Sequence, residues 1–345
     1  MHPLLLEQEH VDLFGDIHGC YYPLLRLLER LGYRRIMLDP TEQGEARFTY
    51  AHPDARLAIF VGDLIDRGPH IREVVQLVQS MVESGHALMV LGNHEYNAIA
   101  FAEEVETHLG LMASGDAPDI DTEVESSPLP KRLQRLMKAT LEQYKGHELE
   151  WRQRCDWFRS LPLFLEGETF RVVHACWDSE LIDQLRRDYP HYRLDAQFYQ
   201  TSRIKGSFEA QVADRLTRGT SMPLPAGVEL KGRDGFIRRF FRTKFWSAEP
   251  QTYGDVVFQP DPLPFDLVDH PIKADEQQQL VHYPCDDLPV FFGHYWLKGR
   301  PQPLLDNVVC LDYSAVNFGR LTAYTYSGEK PLKEENFVWV YVDPS

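Results

Sequence analysis

The sequence predicts an α/β fold, on three observations. Its first hundred residues alternate short apolar runs with helix-spaced stretches. Each of the three apolar runs there ends at or just before a glycine followed by a polar cluster, and strand-like runs return near the end of the chain. In an open α/β sheet the carboxyl ends of strands are where ligands bind, so the polar clusters are the first candidates for chemistry.

Taken in order, Val11–Phe14 reads as a buried strand and Pro23–Leu31 as a helix, with leucines at 24, 25, 27, 28 and 31. The polar stretch Asp39–Arg56, with Gly44 and Pro53, suits a loop or a small hairpin. Leu57–Val61 is a second strand, Ile71–Glu83 an amphipathic helix and Ala87–Leu91 a third strand. Residues 96–160 carry mainly helical spacing, interrupted near Ser114–Pro130 by an acidic, proline-containing loop. The mixed charges of Leu133–Lys145 and Leu149–Arg159 suggest solvated outer faces. Leu163–Leu165 and Phe170–His174 around Gly167 suggest a hairpin whose second strand ends in His174. Between Trp177 and Leu288 the pattern is irregular, with helical stretches near Glu180–Asp188 and Phe208–Leu216 and then many prolines. Residues 178–288 therefore read as an insertion or cap within one domain spanning 1–345. Strands return at Pro289–Gly293, Val308–Leu311, Leu321–Tyr326 and Phe337–Val342.

Composition narrows the function. Hydrophobic residues make up 43% and charged residues 26%, ordinary values for a globular protein. No apolar run approaches the ~18 to 20 residues needed to span a bilayer, and the start of the chain turns acidic too soon for a secretory signal. The five cysteines form no C-x-x-C pair, which suggests free thiols and a cytoplasmic location. A net charge of −16 argues against a nucleic-acid partner, yet a pair of divalent cations would let the same chain accept a phosphorylated substrate.

The polar clusters are Gly15-Asp16-Ile17-His18-Gly19, Gly62-Asp63-Leu64-Ile65-Asp66-Arg67-Gly68 and Gly92-Asn93-His94-Glu95, joined by His174 and by His294 after Gly293. Asp16 and His18 would point to opposite faces of an extended strand; the flanking glycines let the chain turn both toward one point. Carboxylate, amide and imidazole donors without thiolate suit Mn, Fe, Zn or Mg. Taken singly, each has a plainer reading: Asp16 or Asp63 as a helix cap, Asn93 as a turn residue, His174 or His294 as a core histidine, Asp66 as a salt-bridge partner of Arg67.

Together, the series GDIHG, GDLIDRG, GNHE, VVHA and FGH resembles the calcineurin-like metallophosphoesterases, in particular their phosphoprotein-phosphatase branch. The opening GDIHGCYYPLLRLLERLGY and the closing LDYSAVNFGRLTAY are similar to bacterial members that hydrolyse phosphoproteins or dinucleoside tetraphosphates. The resemblance implies a two-sheet β-sandwich flanked by helices, with two divalent metal ions at the strand ends. It assigns Asp16 and His18 to the first ion, Asp63 to both, and Asn93, His174 and His294 to the second. It implies attack by a metal-activated hydroxide, with His94 as general acid, Asp66 orienting its imidazole and favouring its protonated form, and Arg67 gripping the phosphate. No thiolate chemistry is implied, because neither Cys20 nor Cys176 lies in a Cys-x5-Arg loop.

Two departures matter. Ala175-Cys176-Trp177 stands where the Ser/Thr phosphatases of that branch carry two glycines, which would alter the groove floor and favour an aromatic leaving group. No second phosphate-binding arginine is evident near residue 180. The basic, aromatic-rich stretch Lys231–Lys244 is the place to seek one: Arg238 and Arg242, four apart, would share a helical face. The expected function is hydrolysis of a phosphorylated protein or peptide, with a dinucleoside polyphosphate hydrolase as the alternative. A metal-binding scaffold without catalysis is a third possibility, against which the presence of both His94 and Asp66 speaks.

Overall fold

A computed structural model of the chain describes residues 5–6, 10–40, 46–109, 131–189, 194–225, 228–231, 237–259 and 262–343. The loop expected near 114–130 lies outside them. Among the described residues no helix is long and apolar enough to cross a membrane.

Two sheets face each other, as expected. In the first, the parallel neighbours Val11–Phe14, Leu57–Phe60 and Ala87–Met89 form one half. The antiparallel strand Arg320–Tyr326 joins beside Val11–Phe14 and carries Asp312–Tyr313 and Phe337–Tyr341. The second sheet runs in the order Leu5–Leu6, Phe164–Gly167, Arg171–Val173, Val290–Phe292 and Val308–Cys310. Its last three strands are mutually parallel, and Phe164–Gly167 with Arg171–Val173 is the expected hairpin.

Aromatic side chains close the space between the sheets. Phe291 of the second sheet lies 5.2 Å from Tyr324 and 5.4 Å from Tyr326 of the first, centroid to centroid, and all three are buried. Asp12 interrupts the first apolar run. Its carboxylate is buried, but Arg56 Nε donates to both oxygens at 3.2 and 3.0 Å and Tyr33 donates at 3.1 Å, so the charge is paired.

The helix Tyr21–Arg30 seats Leu24, Leu27 and Leu28 against the first sheet, and Ile71–Glu83 seats six apolar side chains. The helices Lys131–Tyr144 and Glu148–Arg159 are not the solvated faces their charge suggests. Each buries one side: Met137, Thr140, Leu141 and Tyr144 in the first, and Trp151, Cys155, Trp157 and Phe158 in the second. Widely spaced large side chains carry that burial, and the many intervening charges obscure it. The stretch Asp39–Arg56, expected as a loop or small hairpin, supplies one strand, Arg47–Ala51, of a hairpin whose other strand, Arg34–Leu38, lies before it.

Within 178–288, the helices Ser179–Asp188, Ala196–Ser202 and Phe208–Arg218 pack on the main core. Next comes a small antiparallel sheet ordered Val257–Gln259, Phe240–Thr243, Thr220–Pro223. It has a core of its own, built on Met222, Phe241, Tyr253, Val256 and Leu267. Phe245 and Trp246 then return to the main core, where they stack against Phe292.

Candidate metal centre

Every predicted ligand sits at or just past the carboxyl end of a parallel strand, and all are buried. The turns that bring them there are tight. His18, Asp63, Asp66, Arg67 and His294 themselves adopt φ of 45°, 56°, 67°, 70° and 65°. Non-glycine residues rarely enter this region, and they cluster where a fold holds them for a purpose. The left-handed turn thus belongs largely to the functional residues, whereas Gly293 serves close approach: a β-carbon there would collide with Asp16 Oδ1.

Two groups of donor atoms form, each within 4.8 Å of one another: His18, Asp63 and His94, and Asp63, His174 and His294. Asp63 belongs to both, as a bridging carboxylate must. Asp16 lies outside both groups; the backbone N–H of His294 donates to both its oxygens at 3.3 and 3.1 Å. Asn93 Oδ1 lies 3.1 Å from His174 Nε2.

The imidazoles are aimed by acceptors behind them. Nδ1 of His18 lies 2.7 Å from Ile65 O, Nδ1 of His174 2.7 Å from Val61 O, and Nδ1 of His94 2.5 Å from Asp66 Oδ2. A proton on each Nδ1 satisfies those contacts and turns each Nε2 lone pair into the site.

The donor set fits a pair of divalent cations. His174 Nε2, Asn93 Oδ1 and Asp63 Oδ1 converge at 3.1 and 3.4 Å, and three acceptors cannot meet without a proton or a cation between them. Burial opposes charge on His174, but the carboxylates of Asp63 and Asp16 win and push it up to about 10. Burial and the neighbouring carboxylates Asp312 and Asp63 push Asp16 well above the usual range, whereas the surrounding imidazoles, His174 foremost, prevail over burial and pull Asp63 down. His294 Nε2 is buried and meets no hydrogen-bond partner among the described residues. A knot of buried carboxylates and imidazoles that push one another's titration in opposite directions is a donor set that divalent cations would neutralise.

Asp66 is held from the far side by Thr140, whose hydroxyl donates to Oδ1 and accepts from the Asp66 N–H at 3.0 Å. Arg67 is exposed; Nη1 donates to His18 Nε2 at 2.9 Å and Nη2 to His94 Nε2 at 3.1 Å. Its guanidinium lies 4.7 Å from the ring centroid of Trp296, a half-exposed indole at the rim.

Two expectations fail. Arg238 and Arg242 do not share a helical face: they lie on the strands Ile237–Arg238 and Phe240–Thr243. The i, i+4 spacing misled because β-branched and aromatic residues around it favour strand. The small sheet nevertheless brings Arg242 to the centre, with its guanidinium 5.9 Å from the Tyr295 ring and its charge acting on His294. Ala175, Cys176 and Trp177 do not floor a groove. All three are buried, and Trp177 packs edge-on against Phe164 and under Arg171.

Sequence reasoning missed three residues. Glu95 accepts from the Asp63 N–H at 2.9 Å and the Leu64 N–H at 2.7 Å, tying the second cluster to the helix Asn93–Leu109. Its place in the Gly-Asn-His-Glu run was the available signal. Thr140 gave none, because it lies far from any motif in a charged helix. Asp312 is the third.

The family model for calcineurin-like phosphoesterases matches residues 10–205. Among curated proteins, the chain is 48% identical over 83 residues to bis(5'-nucleosyl)-tetraphosphatase PrpE (asymmetrical) of Halalkalibacterium halodurans, covering 24% of this chain and 30% of that one. It is 34% identical over 131 residues to the protein of the same name from a Geobacillus species, covering 37% and 49%. The chain thus spans less than half the length of these relatives. Among solved structures, a cold-active protein-tyrosine phosphatase of a Shewanella species aligns over 99% of this chain and 83% of that one, at 16% identity and a TM-score of 0.43.

Proposed function

From the premise that this chain belongs to the calcineurin-like phosphoesterase family and is a metal-dependent phosphoric ester hydrolase, we propose that its substrate is a dinucleoside polyphosphate, cut unequally. Kinship with relatives that bear the name of an asymmetrical tetraphosphatase carries this reading. The rim agrees with it: a guanidinium lying on a half-exposed indole offers a phosphate contact beside an aromatic face, which suits a nucleotide. The expectation of an aromatic leaving group rested on a groove floor reshaped by Ala175, Cys176 and Trp177, and all three side chains are buried in the core.

Asp16, His18, Asp63, Asn93, His174 and His294 hold the two divalent ions. When bound, these supply Lewis-acid charge and activate the nucleophile. Arg67 and Arg242 bind and orient the polyphosphate. His94, held at Nδ1 by Asp66, gives the leaving oxygen a proton from Nε2 when both ring nitrogens are protonated.

The test identifies products. Diadenosine tetraphosphate should yield one adenosine monophosphate and one triphosphate in equal amounts, without orthophosphate. Higher kcat/KM for orthophosphate release from a phosphotyrosine peptide would overturn the substrate class. Arg242→Ala should raise KM for the tetraphosphate by about 10- to 100-fold, the worth of a charged hydrogen bond, and change kcat less. An unaltered KM in steady-state kinetics would remove Arg242 from the site.

A further inference from the structure

The ligand-bearing halves of the two sheets are built alike. In the first, the parallel neighbours Val11–Phe14, Leu57–Phe60 and Ala87–Met89 deliver Asp16, Asp63 and Asn93 beyond their carboxyl ends. In the second, Arg171–Val173 and Val290–Phe292 deliver His174 and His294. The third parallel neighbour, Val308–Cys310, delivers Asp312. Asp312 stands two residues past its strand, as Asp16 and His294 do past theirs.

Its side chain is 3% exposed. Oδ1 accepts from the Ser314 N–H at 2.9 Å, while Oδ2 is buried and meets no hydrogen-bond partner among the described residues. It lies near enough to Asp16, Asp63, His174 and Arg67 for their charges to interact. Capping the turn at Ser314 uses one oxygen and does not explain the burial of the other. A buried anion so placed needs a cation.

We propose that Asp312 is a further carboxylate of the metal centre, a positioning residue whose Oδ2 helps hold the cation on the Asp16 side, directly or through one bound water. The inference rests on the dinuclear reading of the site and adds one anionic group to it. Such a group typically contributes 10- to 100-fold in metal affinity.

The test is a Mn²⁺ titration of chelator-stripped protein, with free ion counted by electron paramagnetic resonance. Asp312→Asn keeps an oxygen for Ser314 and removes the charge. The expected result is one Mn²⁺ bound as in wild type and the other bound about 10- to 100-fold more weakly, with the melting temperature of the stripped protein unchanged or raised. Should the Asn variant not fold, Asp312→Ser also retains an oxygen and carries the same expectation. Two ions of wild-type affinity in either variant would overturn the inference and leave Asp312 as a turn cap. A wild-type protein that takes up fewer than two ions overturns the dinuclear reading itself, and the inference with it.

Discussion

Asp63→Ala is expected to purify with neither metal ion and to lose turnover by more than about 10³-fold, beyond the cost of removing a single preorganised donor. The reason is geometric: Asp63 alone belongs to both donor groups, with Oδ1 3.4 Å from His174 Nε2 and Oδ2 3.6 Å from His18 Nε2. Its backbone is fixed independently by Glu95, and its own C=O accepts from the Ile17 and His18 N–H groups at 3.1 and 2.9 Å. Losing the side chain therefore leaves the loop's backbone ties in place and removes the shared charge together with one hydrogen bond, from the His94 N–H at 3.1 Å. No neighbour takes over the bridge, because Asp16 is engaged by His294 and Glu95 by the loop it anchors. Elemental analysis decides the matter. A variant that keeps two ions per chain would show that the bridge lies elsewhere.

Much of this centre was legible in the sequence because a strand that stops in Gly-Asp or Gly-Asn-His announces both its direction and its cargo. His18, Asp63, His174 and His294 fall into two donor groups that share Asp63, with His94 in the first of them, while Asp16 and Asn93 lie beside these groups against His294 and His174. Less legible were residues whose meaning depends on what faces them. Thr140 works through Asp66 across more than seventy residues of chain, and nothing in a charged helix marks one threonine as special. Asp312 sits in the run LDYS, where an aspartate before a serine reads as a turn residue; only the parallel pairing of Val308–Cys310 with Val290–Phe292 places it beside the ligands. Arg238 and Arg242 show the reverse error. Their spacing fits a helix, but Phe240 and Phe241 between them pair with Pro223 and Met222 in a sheet. Tertiary pairing overrode a local pattern and set Arg242 over Tyr295, the residue after His294.

His94→Ala is expected to keep both metal ions and lose about 10²- to 10⁴-fold in kcat, the usual worth of a positioned general acid. The geometry makes this prediction sharp because His94 could be read two ways. Its Nε2 stands with His18 and Asp63 in a donor group that could hold an ion. Yet its Nδ1 is gripped at 2.5 Å by Asp66, itself buried and held by Thr140, whereas His18 and His174 are backed by uncharged carbonyls. The Asp66 carboxylate fixes the Nδ1 proton and the ring orientation, which serves a proton donor and a metal ligand alike. Metal content separates the two readings, and the leaving group adds a second measure. A donor matters most where the departing oxygen is basic, so in a series of aryl phosphates the variant's loss should grow with leaving-group pKa. A variant that loses one ion, or whose loss is the same across the series, would place His94 among the ligands and leave the protonation of the leaving oxygen to solvent.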